Sequence, residues 1–134
     1  MIGYMDTSAI VSLAFDDEDA ERVVRALQGV SRLVSSNLLE AELRSARNRR
    51  GFAFPDALVS ALHWIHPRRP LTGEFRVATR AGSLRGADLW HVASALYLSP
   101  TASDLAFVTM DFDQAKVAAR LGFLVLPTLG TPCT

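Results

Sequence analysis

Four acidic residues, Asp6, Glu42, Asp88 and Asp111, lie far apart in the chain, yet each falls where a coarse reading places the end of a strand or the first turns of a helix. In an open α/β sheet the ligand crevice lies beyond the carboxyl ends of the strands, so carboxylates from separate units can meet there. Packed carboxylates repel one another and normally need a bound cation. Hard oxygen ligands left partly open to water suit Mg²⁺ or Mn²⁺, which take few protein carboxylates and leave positions for water and a substrate phosphate. The chemistry these residues point to is metal-dependent phosphodiester cleavage.

Neighbouring residues compete for the same roles. Asp6 stands where it would also cap the following helix, and Asp88, after Gly86, stands where an N-cap would. Glu40 competes with Glu42, and two residues apart on a helix they cannot face one direction. Asp113 competes with Asp111 and is expected to cap the helix that follows. His91, one turn after Asp88, is placed to reach the pocket or act as a base, although a packed or partner-facing histidine is the commoner case. His63 and His66 lack metal-ligand spacing and are expected at a helix end, structural or exposed. Trp64 and Trp90 are expected in the core or an interface.

The elements that must position these residues alternate between β and α. A short apolar run, Met1 to Met5, ends at Asp6, and Ser8 to Phe15 reads as a buried helix. The acidic cluster Asp16 to Asp19 suits the positive start of the next helix. There Ala20, Val23, Val24 and Leu27 recur at helical spacing before a C-cap at Gly29. Arg32 to Ser35 reads as a strand. Ser36 or Asn37 is placed to cap a helix to about Arg50, with Leu39, Leu43 and Ala46 inward. Pro55 fits the first helical position of a further helix with a Leu58, Leu62 and Ile65 stripe. Residues 66–70 read as a connector, and Thr72 is placed to cap a helix that stops at Gly82. Asp88 to Leu98 is amphipathic, Leu105 to Thr109 is a strand, and a helix from about Asp113 to Leu121 precedes a last strand, Phe123 to Leu126. Such alternation implies a parallel sheet with helices on both faces.

At 134 residues the chain suits one domain. No apolar run approaches the ~20 residues of a membrane span, and Met1 leads into the first strand without a signal-like segment. Cys133, the single cysteine, has no internal partner, which fits a reducing compartment. A cytoplasmic protein is the expectation. The net charge is zero, but it conceals a basic middle: residues 44–85 carry nine arginines against Asp56 and Glu74, a net +7. Thirteen of the fourteen basic residues are Arg, whose planar fork binds phosphate in a bidentate way that Lys does not match. The bland alternative is that these arginines are solvated helix faces.

The segments Met5-Asp6-Thr7-Ser8-Ala9, Leu38-Leu39-Glu40-Ala41-Glu42-Leu43-Arg44, Leu84-Arg85-Gly86-Ala87-Asp88 with Ala93-Ser94-Ala95-Leu96, and Val108-Thr109-Met110-Asp111 resemble the PIN domain. More narrowly, they are similar to VapC-type toxins of bacterial toxin-antitoxin pairs. The resemblance covers about residues 1 to 127, with 128–134 as a tail, and implies a three-layer α/β/α fold with a short central parallel sheet. It implies a Mg²⁺- or Mn²⁺-dependent endoribonuclease in which Asp6, Glu42, Asp88 and Asp111 hold the metal. The Glu-Leu-Arg register favours Glu42 over Glu40. Ser8 and Thr109 would support the acids, and Arg44, Arg47, Arg49, Arg50 and Arg85 would hold the RNA backbone. The implied partners are RNA, a cognate antitoxin and a second copy in a homodimer, with no membrane. An alternative is a catalytically silent PIN-like module that binds RNA or protein. A third class, a phosphatase or DNA nuclease, shares the pocket chemistry.

Overall fold

The computed structural model describes residues 1–128. Five strands, β1 (Ile2–Met5), β2 (Arg32–Ser36), β3 (His63–Ile65), β4 (Leu105–Val108) and β5 (Leu124–Leu126), form one all-parallel sheet in the order β3-β2-β1-β4-β5. Seven helices connect them: α1 (Thr7–Phe15), α2 (Ala20–Leu27), α3 (Leu38–Arg50), α4 (Asp56–Ala61), α5 (Thr72–Ala81), α6 (Gly86–Leu98) and α7 (Phe112–Leu121). The chain winds from β1 outward through β2 to β3, then returns to build β4 and β5 on the other side of β1. The direction of winding therefore reverses between β1 and β4, which makes the space beyond their carboxyl ends the crevice of the fold.

Strand periodicity divides the core in two. Along β1, Tyr4 joins one apolar cluster and Met5 the other, and along β4 Phe107 and Val108 separate in the same way, because successive side chains of a strand point to opposite faces. The Tyr4 and Phe107 cluster takes Ala78, Val92, Leu96 and Val117 from α5, α6 and α7. The Met5 and Val108 cluster takes Ile10, Val23, Leu39 and Leu43 from α1, α2 and α3. Six consecutive residues of α6, His91 to Leu96, are buried, as befits a helix packed between neighbours rather than on the surface. The result is three layers.

Helix ends follow local chemistry. Asp6 and Asp111 cap α1 and α7, each accepting a backbone N–H three residues on. Gly51 and Gly122 close α3 and α7 with φ of 72° and 106°, the left-handed backbone glycine tolerates. Several sequence expectations are corrected here. Asp111, not Asp113, caps α7, because the extended backbone after β4 continues through Asp111. Ser36 Oγ accepts the Leu38 N–H at 3.1 Å while Asn37, at the cap position, makes no side-chain cap bond. Pro55 precedes α4 rather than opening it, Gln28 rather than Gly29 is the C-cap of α2, and Thr72 is the first residue of α5, with Leu71 at its cap position. The helix expected to carry Leu58, Leu62 and Ile65 stops at Ala61, and His63 belongs to β3, with His66 just beyond it. Of the expected tail 128–134, residues 129–134, including Cys133, lie outside the described residues. Thr128 is held by its carbonyl, which accepts from Arg22 at 3.1 Å.

Leu39 is fully buried and Leu98 is 43 % exposed. Leu39→Ala is expected to lower the unfolding free energy in urea by about 2–5 kcal/mol, and Leu98→Ala to change it by no more than about 0.5 kcal/mol.

Candidate active site

Asp6 is the first residue after β1 and the cap of α1, and both duties place its carboxylate in the crevice between the ends of β1 and β4. It is only 2 % exposed. Oδ1 accepts from Ser8 Oγ at 2.8 Å and from the Ala9 N–H at 3.2 Å, and Oδ2 accepts from Thr109 Oγ1 at 2.8 Å. The two hydroxyls also tie the loops together: Ser8 Oγ accepts the Met110 N–H at 2.9 Å and Thr109 Oγ1 accepts the Asp111 N–H at 3.0 Å. The structure thus brings both supporting residues, Ser8 and Thr109, onto Asp6. Burial pushes the Asp6 carboxyl up to about 6, against the opposing pull of hydrogen bonds from Ser8, Thr109 and the Ala9 N–H.

Glu42, in the second turn of α3, faces the same crevice from the other layer. Its Oε1 accepts from Thr7 Oγ1 at 2.7 Å and meets His91 Nε2 at 2.7 Å. Half-burial would raise this carboxyl, but hydrogen bonds from His91 and Thr7 prevail and hold it below the ordinary glutamate range. Glu40 instead pairs with Arg44 one turn along the helix, at 2.8 Å, so the structure separates the two acids. His91 is buried, and its Nδ1 lies 2.8 Å from the Tyr4 hydroxyl.

Asp88 stands in the first turn of α6, beside Asp111 at the head of α7, in an open recess of about 430 Å³ also lined by Ser83, Leu84, Arg85 and Asp113. Burial raises the Asp88 carboxyl, and the charges of Asp111 and Glu42 raise it further. Gln114, fully buried, holds the two helices in place, its Nε2 donating to the Asp88 carbonyl at 3.0 Å. Three acids of the expected set therefore share one field, with Asp6 behind them. Among the described residues, no three His, Cys, Asp or Glu side chains close on one point as metal ligands. The donor chemistry nevertheless fits a hard divalent cation: all four are carboxylates, and two are raised by burial, one of them also by like charge, both of which a cation offsets.

The expected arginines divide. Arg49 and Arg50 line a second recess, of about 380 Å³, with Thr7, Ser8 and Glu42, and Arg50 lies over the Phe15 ring at 4.1 Å. Arg85 lines the recess of Asp88. Arg44 and Arg47 line a different hollow with Phe54 and Asp56, because they stand on another side of α3. Trp90 is half-buried and donates its indole N–H to Ser36 Oγ at 2.8 Å. Sequence reasoning missed Tyr4, Thr7 and Gln114 as parts of the site. Their partners are long-range, and only the Thr7 in the Asp-Thr-Ser run offered a local signal.

The PIN domain family model matches residues 3–120. The fold is similar to that in the crystal structure of VapBC2 from Rickettsia felis bound to a DNA fragment from their promoter, with a TM-score of 0.64 and 14% identity over 93% of this chain and 97% of that one. It is also similar to the 2.2 Å structure of VapBC-1 from nontypeable Haemophilus influenzae, with a TM-score of 0.59 and 20% identity over 93% and 96% of the two chains. No curated protein matches the sequence.

The Asp6 carboxyl, ordinarily at 3.8, is raised to about 6 in the folded protein. Its charge therefore destabilises the native state: the penalty is absent below pH 4, grows between pH 4 and 6, and is complete above, at about 3 kcal/mol. In EDTA, the stability of Asp6→Asn relative to wild type is expected to rise by up to that amount between pH 4 and pH 7, read from urea midpoints at each pH. A pH-independent difference would contradict the buried charge.

Proposed function

The chain belongs to the PIN domain family, and from that premise we propose that it is a metal-dependent endoribonuclease, the VapC-type toxin of a type II toxin-antitoxin pair. What supports the reading is that Asp88 is raised by burial and by the charges of Asp111 and Glu42, while Asp6 is buried at the point where the sheet reverses. Those four carboxylates would hold Mg²⁺, or Mn²⁺ in its place. When bound, such a cation activates water toward phosphorus and offsets the negative charge that grows on the phosphate oxygens.

The remaining work falls to the chain's own residues. Ser8 and Thr109 keep the buried Asp6 carboxylate oriented. Arg49 and Arg50 on one side of the crevice and Arg85 on the other bracket the acids, so an RNA backbone lying across them sets its phosphate over the carboxylates. Phosphate contacts of this kind supply affinity and register and little sequence choice. Arg44 and Arg47 stand further from the acids and extend the basic surface along α3. Cleavage would leave a 5′-phosphate and a 3′-hydroxyl.

An antitoxin partner is supported by the two similar structures, which are VapBC proteins, and a homodimer follows from the family reading. Among the described residues no helix is long and apolar enough to cross a membrane. A soluble, cytoplasmic toxin is the proposed setting.

Purified protein is expected to cleave a panel of single-stranded and transfer RNA with Mg²⁺ or Mn²⁺ and not with EDTA. Asp6→Asn and Asp88→Asn should each lower the rate by about a hundredfold or more. Tight RNA binding with no cleavage would favour the silent module, and equal cleavage of DNA of the same sequence would favour a general nuclease. Replacing Arg49 and Arg50 by Glu should weaken RNA binding and reduce the slope of log affinity against log salt by about 0.7 for each phosphate no longer neutralised. Unchanged binding would remove both from the RNA path.

A further inference from the structure

Tyr4 and His91 are buried side chains that no step above uses. We propose that His91 is a positioning residue for Glu42: the Tyr4 hydroxyl selects the tautomer of His91 that donates from Nε2, and this donor fixes Glu42 Oε1 and leaves Oε2 for the cation. The inference rests on the metal-dependent reading of the cleft.

The tautomer follows from the hydrogen bonds around Tyr4. The Ser36 N–H donates to the Tyr4 oxygen at 3.2 Å. Ser94 Oγ, though buried beneath the site on α6, makes no hydrogen bond, and Ser35 Oγ donates to the Met5 carbonyl at 2.7 Å. Of the side chains beside the phenol, which include Ser35 and Ser94, His91 Nδ1 is the one paired with the Tyr4 hydroxyl, at 2.8 Å. The Glu42 carboxylate, an acceptor only, calls for the hydrogen on Nε2. An Nδ1 that accepts leaves the hydrogen on Nε2, which meets Glu42 Oε1 at 2.7 Å. Thr7 Oγ1 donates to the same oxygen at 2.7 Å. Both donors therefore act on Oε1.

The ring cannot drift. His91 is 1 % exposed and sits edge-on to Tyr4, with centroids 5.8 Å apart, and Tyr4 stacks on Phe107 of β4 at 5.5 Å. Position passes from the sheet through two rings to one carboxylate oxygen on α3. With both ring nitrogens in hydrogen bonds and the ring buried, His91 faces Tyr4 and Glu42 rather than open water. A glutamate has three rotatable bonds, and fixing one oxygen beforehand removes that ordering from cation binding.

The test is Mn²⁺ titration of the full chain by calorimetry, with melting curves alongside, for wild type, His91→Leu and His91→Gln. His91→Leu is expected to weaken Mn²⁺ by about 10–100-fold. His91→Gln, whose amide nitrogen reaches the place of the imidazole Nε2, is expected to retain affinity within about threefold. The ¹⁵N–¹H ring spectrum of the wild-type protein needs no substitution and should show the His91 hydrogen on Nε2. In Tyr4→Phe it should show a mixture of tautomers. Unchanged Mn²⁺ affinity in His91→Leu, equal losses in Leu and Gln, or a wild-type hydrogen confined to Nδ1 would each overturn the positioning role. A wild-type protein that binds no Mn²⁺ would overturn the metal-dependent reading itself, and this inference with it.

Discussion

A carboxylate with almost no access to water is the constraint around which the rest of the molecule is arranged. Asp6 stands where β1 ends and the sheet reverses direction, and a charge there is unfavourable unless neighbours satisfy it. Ser8 comes from the helix that Asp6 caps, and Thr109 from the end of the adjacent strand. Their hydroxyls accept the Met110 and Asp111 N–H groups in turn, so the loop after β4 takes its course from the same knot. That course sets Asp111 at the head of α7, and Gln114 carries the order on to Asp88.

The helical layers on the two faces of the sheet have separate apolar cores, and polar contacts join them over its upper edge. His91 of α6 meets Glu42 of α3, and Trp90 of α6 meets Ser36 at the end of β2. These contacts place two carboxylates, from α3 and α6, in register across the crevice. Local cap chemistry and long-range polar pairing thus serve the same place. Asp6 and Asp111 are caps and cleft residues at once, and the two readings weighed from sequence are not exclusive.

Much of this was legible from the chain. β1 and β4 are short apolar runs that end at Asp6 and Thr109, α6 is an amphipathic segment with Asp88 at its start, and the alternation of elements sufficed for a parallel sheet. β3 was not legible. It is three residues long and only partly buried, and Trp64 and Ile65 extend the spacing of the preceding helix, so only its pairing with β2 makes it a strand. The choice between Asp111 and Asp113 as cap turned on how far the backbone stays extended past β4, which composition does not encode. The link from Tyr4 to His91 spans 87 residues. No local pattern marks it, whereas Ser8 lies two residues from the acid it supports.

The indole of Trp90 is two residues from Asp88 and next to His91, lies 6.2 Å from the Phe75 ring, and is anchored at Nε1 to Ser36. Indole emission depends on the polarity and hydrogen bonding around that nitrogen, and the other tryptophan, Trp64, sits on the edge strand away from the acids. The molecule therefore carries an indole on the helix that bears Asp88 and His91, and its emission reports on the seam between α6 and the end of β2.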